Sequence, residues 1–169
     1  MTWQRGADRI ALVQRTNYPH EPTAAIEINA DKPADFAVML RVPAWAGAKT
    51  ASAVNGKRLV SGPEPGKFAS IRRRWKNRDR IEIEFDMPTV LEAVDPEHPN
   101  LLAAVYGPLV LFSVSDVPSS LTKRELTAAS QAATGSTDWQ AKSAAGTLRL
   151  RPFAAIRDER YRLYLKLDA

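Results

Sequence analysis

Few side chains in this chain are of the types and spacings that do chemistry. It has two histidines and no cysteine. His20 lies in Tyr18-Pro19-His20-Glu21-Pro22, where it could join Glu21 as an acid/base pair or metal ligand. His98 lies in Asp95-Pro96-Glu97-His98-Pro99, beside two carboxylates. Neither stretch has the His-Glu-x-x-His spacing of a helical zinc site or a third nearby ligand. No metal and no cofactor is therefore expected. Glu82, Glu84 and Asp86 could supply the paired carboxylates of a glycosidase. They alternate along a strand with arginines expected opposite, which keeps them ionised and unsuited to general-acid work. Without cysteine there is no disulfide, thiolate nucleophile or Cys-based zinc or iron–sulfur site. No catalytic residue is assigned.

Binding residues are more plausible than catalytic ones. Trp3, Trp45, Trp75 and Trp139 could stack on a sugar ring. Trp75 reads as core, Trp45 closes a strand after Pro43, and Trp139 sits in a polar connection where exposure is expected. Arg73 breaks its strand's pattern by sharing a face with Ile71 and Trp75. It reads as an interior or edge arginine with its stem beside Trp75, and as a substrate or interface arginine otherwise. The residues offered as carbohydrate or interface contacts are Trp45, Trp139, Arg73 and His20. The net charge of +5 also raises a basic nucleic-acid-binding β domain. Against it, Arg72 and Arg74 face away from Arg73, with Glu84 and Glu82 expected across from them. The aromatic residues do not interleave with the basic ones on one face, as a single-strand binder requires. No nucleic-acid partner is expected.

The elements that would position these residues are strands. Phe36, Val38, Leu40 and Val42 alternate with Ala37, Met39 and Arg41, and Ile81, Ile83 and Phe85 alternate with Glu82, Glu84 and Asp86. Ile71, Arg73 and Trp75 form another such face. A hairpin through 76–80 would pair the last two strands, setting Trp75 opposite Ile81, Ile71 opposite Phe85, Arg74 opposite Glu82 and Arg72 opposite Glu84. Asn55-Gly56 is a type I′ turn signal, since both central residues need positive φ. Further strands are expected over 9–16, 24–29, 49–54, 57–60, 89–94, 101–106, 108–114, 147–151 and 161–167. Ser119 or Ser120 would cap one short helix within 119–133. The alanine-, serine- and threonine-rich stretch 120–145 reads as a long, loosely packed, mobile connection. The fold class is all-β: an antiparallel, jelly-roll-like β-sandwich, in one or two small packed sandwich regions. The proline-bounded stretch 95–99 divides a first region, 1–94, from a second, 95–169. No apolar run is long enough for a transmembrane helix, and the N-terminus has no signal-peptide h-region. A membrane partner is not expected, and compartment is left open.

The wording of these strands resembles a family. Arg41-Val42-Pro43-Ala44-Trp45-Ala46, Val54-Asn55-Gly56, Phe68 through Asp79 with Arg73-Arg74-Trp75-Lys76, and the strand ending at Met87 follow in the order seen after the catalytic barrel of family 127 β-L-arabinofuranosidase-type glycoside hydrolases. Val13 to Pro19, Ala103 to Leu111 with its Gly107-Pro108-Leu109-Val110, and Arg151 to Tyr164 are similar to further segments of that family. One departure is Arg78, where the family usually has a glycine before the aspartate. The resemblance implies that chemistry belongs to a preceding (α/α)-barrel, with cysteines and glutamate around zinc and a cysteine nucleophile. None of those residues maps onto this chain. The reading is thus a non-catalytic accessory sandwich that supports or caps such a barrel, its partner in the same or a neighbouring polypeptide. The alternative is a stand-alone carbohydrate-binding module. An exposed planar row of tryptophans and tyrosines favours the module, and a broad apolar surface without one favours an interface.

Overall fold

In a computed structural model, which describes residues 2–5, 8–60 and 62–167, the alternating stretches are strands, and the chain divides into two units, 1–87 and 88–169. The first unit holds β1 (Thr2–Arg5), β2 (Asp8–Thr16), β3 (Thr23–Ala30), β4 (Ala34–Arg41), β5 (Ala51–Val54), β6 (Lys57–Arg58), β7 (Phe68–Trp75) and β8 (Asp79–Glu84). One antiparallel sheet runs β1-β2-β3-β8-β5-β6, and β4 and β7 form a two-stranded sheet. Ile28, Val54, Ile81 and Ile83 from the larger sheet meet Val38, Leu40, Ile71 and Trp75 from the smaller in one apolar core. Full burial of such side chains contributes about 1.5–3 kcal/mol each, which makes this face the main stabilising element of the unit. Two layers with a shared dry interior are the expected β-sandwich.

The expected β7–β8 hairpin does not form. β7 pairs with β4, with Trp75 opposite Ala34 and Arg74 opposite Asp35, while β8 lies between β3 and β5 in the other sheet. The chain crosses from one layer to the other through 76–78. Period-two alternation fixes which face of a strand is dry but not its partner. Exposed Arg–Glu pairs are worth at most about 1 kcal/mol each. Placing Ile81 and Ile83 across the core from Ile71 and Trp75 encloses both apolar faces, and this outweighs the charge pairs. In that crossing turn Arg78 has φ 67°, and its N–H donates to the Ile28 carbonyl at 2.7 Å. Arginine thus occupies the left-handed conformation that suits glycine. Asn55 and Gly56 have φ 52° and 75°, as the turn signal requires.

The second unit contains β9 (Thr89–Ala93), β10 (Leu101–Tyr106), β11 (Leu109–Ser113), α1 (Lys123–Thr127), β12 (Ser130–Gln131), β13 (Trp139–Ser143), β14 (Gly146–Pro152), a 3₁₀ turn (Phe153–Ala155) and β15 (Leu165–Lys166). Its sheet runs β12-β13-β14-β11-β10-β15, with β9 also paired to β10. β9 therefore belongs to this unit, and the boundary falls after Met87 rather than at 95–99. The prolines at 96 and 99 lie within a hairpin loop instead, because five consecutive pairs tie β9 to β10 across it. The stretch expected to be loose is part of the core. Leu121, Leu126, Ala129, Trp139 and Ala141 are buried with Leu148, Leu150 and Leu165. Alanine and a few large groups suffice there because α1 lies close over β13 and β9. The helix cap is Thr122, not Ser119 or Ser120: its hydroxyl accepts from the Glu125 N–H, and the Glu125 carboxylate accepts from the Thr122 N–H at 2.8 Å. Of the strand expected over 161–167 only Leu165–Lys166 is regular, preceded by a single bridge from Arg162 to Ser113. Among the described residues, no helix is long and apolar enough to cross a membrane.

Candidate functional site

Local geometry separates the four sequence-assigned contact residues rather than gathering them. Trp45 is half-buried in the loop between β4 and β5, stacked on Tyr18 at a ring separation of 6.3 Å and against Phe85 at 5.8 Å. Tyr18 also meets Phe85 at 5.6 Å, so three rings close this edge of the core. The Tyr18 phenol is pushed up by burial. His20 follows Tyr18 in the β2–β3 connection, where Tyr18-Pro19 is cis and the His20 N–H donates to the Asn17 carbonyl at 2.9 Å. The neighbouring Glu21 carboxylate accepts from the Asn17 amide at 3.0 Å, so the proposed His20–Glu21 acid/base element has its carboxylate engaged by an amide.

Arg73 is exposed, with its guanidinium 5.2 Å from the centre of the Trp75 ring. The face it shares with Trp75 is the one read from alternation, but the side chain is exposed and its charged head itself lies in cation–π range of the indole. Trp75 is fully buried and donates its Nε1–H to the Phe36 carbonyl at 3.0 Å. Beside it Asp79 is buried, accepting from the Lys76 N–H at 2.8 Å and the Asn55 amide at 2.9 Å. Burial alone would raise the Asp79 carboxyl. Those hydrogen bonds and the charges of Arg73 and Lys76 outweigh it and hold the group below the usual carboxylate range. Asp79 thus ties the crossing turn to the Asn55-Gly56 hairpin.

Trp139 is buried, not exposed. It packs on Tyr106 with ring centres 4.4 Å apart and lies opposite Leu150. Its position in β13 turns the ring into the core, which the small, polar residues around it in sequence concealed. The side chain of Trp3 lies outside the described residues. His98 is exposed, and its Nδ1 pairs with Asp95 at 2.8 Å. Asp95 also accepts from the His98 N–H and is held below the usual carboxylate range, first by the ring hydrogen bond. This pair closes the β9–β10 loop. Among the described residues, no group of three His, Cys, Asp or Glu side chains is placed to hold a metal ion.

Two surfaces emerge that sequence spacing does not show. In the second unit Phe112, Phe153 and Tyr161 meet at ring separations of 5.4–5.9 Å, with Phe153 61% and Tyr161 53% exposed. Tyr161 stands at 84° to both neighbours, so the trio is a knob rather than a flat platform. In the first unit the outward face of the larger sheet forms a trough of about 590 Å³. Ala25, Ala51 and Ala53 floor it, and Arg15, Arg58 and Glu84 stand around them. No chain-local motif announces either surface, since each joins residues at least 40 positions apart from end to end.

Comparison with known proteins follows the same division. Residues 1–87 match the family model described as Beta-L-arabinofuranosidase, GH127 middle domain. Among solved structures, a GH127 beta-L-arabinofuranosidase from Geobacillus stearothermophilus T6 is similar over 99% of this chain, with a TM-score of 0.74 and 17% identity. A structure described as a glycoside hydrolase is similar over 95% of the chain (TM-score 0.68, 22% identity). A GH127 beta-arabinofuranosidase is similar over 99% (0.65, 23%). The chain spans 33%, 32% and 33% of the glycoside hydrolase, the Geobacillus protein and the third structure. No curated protein sequence matches it.

Proposed function

We propose, for a chain that belongs to the GH127 β-L-arabinofuranosidase middle-domain family, a non-catalytic accessory role beside a separate glycoside hydrolase barrel. The observation that carries this reading is the family match over 1–87 in a chain with no cysteine. A thiolate nucleophile and a Cys-based zinc shell, which the family resemblance assigns to the barrel, cannot be supplied here. Two carboxylates of the Ile81–Asp86 segment, those of Glu82 and Asp86, also have other partners. Glu82 pairs with Arg80 at 3.1 Å, and Asp86 accepts from the Lys49 N–H at 3.1 Å. The Phe112–Phe153–Tyr161 knob supports a protein contact over sugar stacking, because its rings stand edge-on rather than in one plane.

Association is the test. The purified chain is mixed with a GH127 barrel made separately, and complex formation is followed by analytical ultracentrifugation. Binding that Phe153→Asp and Tyr161→Asp weaken at least tenfold, with folding unchanged by circular dichroism, supports the accessory role. Absence of binding, or binding indifferent to both substitutions, contradicts the proposed contact.

A further inference from the structure

The trough on the first unit is built in an unusual way for a solvent-facing sheet. Strand pairing sets Arg15 of β2 beside Ala25 of β3, Ala25 beside Glu82 of β8, Glu82 beside Ala53 of β5, and Ala53 beside Arg58 of β6. One straight row therefore crosses five strands, about 19 Å at the usual strand spacing. It has an arginine at each end, a glutamate in the middle and alanine between. In the next row Glu84 stands between Thr23 and Ala51.

Alanine is disfavoured in strands, and on an outward face it buries nothing to compensate. Three alanines on the outward faces of β3 and β5, the two strands that flank β8, leave the sheet approachable by another molecule. The charged groups leave it no less ready. Glu82 is engaged by Arg80, and Glu21 by Asn17. Arg15, Arg58 and Glu84 have no side-chain hydrogen bond or ion pair among the described residues. Two free guanidiniums thus look across a floor of small side chains, within a concavity of the size that small ligands occupy. Guanidinium forks bind carboxylates in a bidentate manner, and a free carboxylate accepts hydrogen bonds from hydroxyls. Among the described residues no aromatic ring lines the trough, so recognition there is polar and ionic rather than by stacking.

We infer that this trough binds an oligosaccharide bearing carboxylates, a uronic-acid chain. Arg15 and Arg58 take two of its carboxylates, and Glu84 takes hydroxyls from a sugar ring between them. An apolar protein surface is a poor occupant, because Arg80, Glu82 and Glu84 would lose water against it. The inference stands apart from the barrel-holding role, since its residues and the aromatic knob lie in different units.

The experiment is an amide chemical-shift titration of the full chain with trigalacturonate, run beside a neutral arabino-oligosaccharide of equal length. Saturating shifts at Thr23, Ala25, Ala51 and Ala53 are expected with the acidic sugar. Arg15→Ala combined with Arg58→Ala should weaken binding at least tenfold, and 0.5 M salt should weaken it for the unaltered chain. Ala53→Gln, which fills the floor while its side chain points to solvent, should abolish the shifts without lowering Tm. An equal response to the neutral sugar, shifts that map elsewhere, no shifts at all, or binding untouched by these substitutions would each overturn the inference.

Discussion

Replacing Arg78 by glycine should stabilise the first unit, against the usual rule that an added glycine weakens a fold. Arg78 has φ 67°, where an L-residue with a Cβ pays about 1–2 kcal/mol relative to the right-handed region. Glycine relieves that strain but gives the unfolded chain more freedom, which costs about 0.5–1 kcal/mol. Arg78 is exposed, and its structural contribution is the main-chain bond from its N–H to the Ile28 carbonyl, which glycine keeps. The difference is a gain of about 0.5–1 kcal/mol, or a rise of about 2–6 °C in the Tm of a unit this size. Thermal unfolding followed by near-ultraviolet circular dichroism reads it. Arg78→Ala is the control, since it removes the side chain and leaves the strain. The reasoning is refuted if Arg78→Gly lowers Tm or matches Arg78→Ala.

Three other substitutions probe different contacts. Gly47→Ala would set a Cβ 2.2 Å from the Asp86 carboxylate oxygen that receives the Lys49 N–H. It should cost about 1–3 kcal/mol in urea unfolding, and a neutral result would show that the 47–50 strap yields freely. Leu126→Ala removes a fully buried side chain from α1 and should cost about 2–5 kcal/mol in the second unit. A cost within 0.5 kcal/mol, the range usual for surface sites, would restore the loose connection expected over 120–145. Asp79 is held below the usual carboxylate range in the fold, so its contribution is present above the unfolded carboxyl value, about 3.9, and lost as pH falls through the folded one. Asp79→Asn should therefore destabilise the chain at pH 7 and close the gap to the unaltered protein as pH drops below about 4. A gap that stays constant with pH would contradict this.

Which face of each strand is dry was legible in the sequence, because side chains alternate with period two and burial follows them. Val38, Leu40, Ile71, Trp75, Ile81 and Ile83 are all buried as their spacing implies. Pairing was less legible. The Ile71–Trp75 and Ile81–Phe85 alternations fit a hairpin and a two-layer crossing equally well, and only the rest of the core decides between them. The Asn55-Gly56 turn could be read because two adjacent positive φ angles demand particular residues. The Arg78 turn could not be read from its own residue type, since its main-chain bond and the Asp79 network impose the conformation. The burial of Trp139 is not legible in its small, polar sequence neighbours, because it is the pairing of β13 with β14 that turns the ring inward. The aromatic knob and the alanine-floored trough are products of sheet order, which brings Phe112 to Tyr161 and Arg15 to Arg58. Neither has a signature within one stretch of chain.

Hydrolysis by the purified chain is the most direct measurement of the accessory role. Aryl β-L-arabinofuranoside is incubated with it, with and without added zinc, and release of the aryl group is followed against a heat-denatured control. The account predicts no release above that control under either condition. Turnover by the chain alone would contradict it and place a working carboxylate site among these strands.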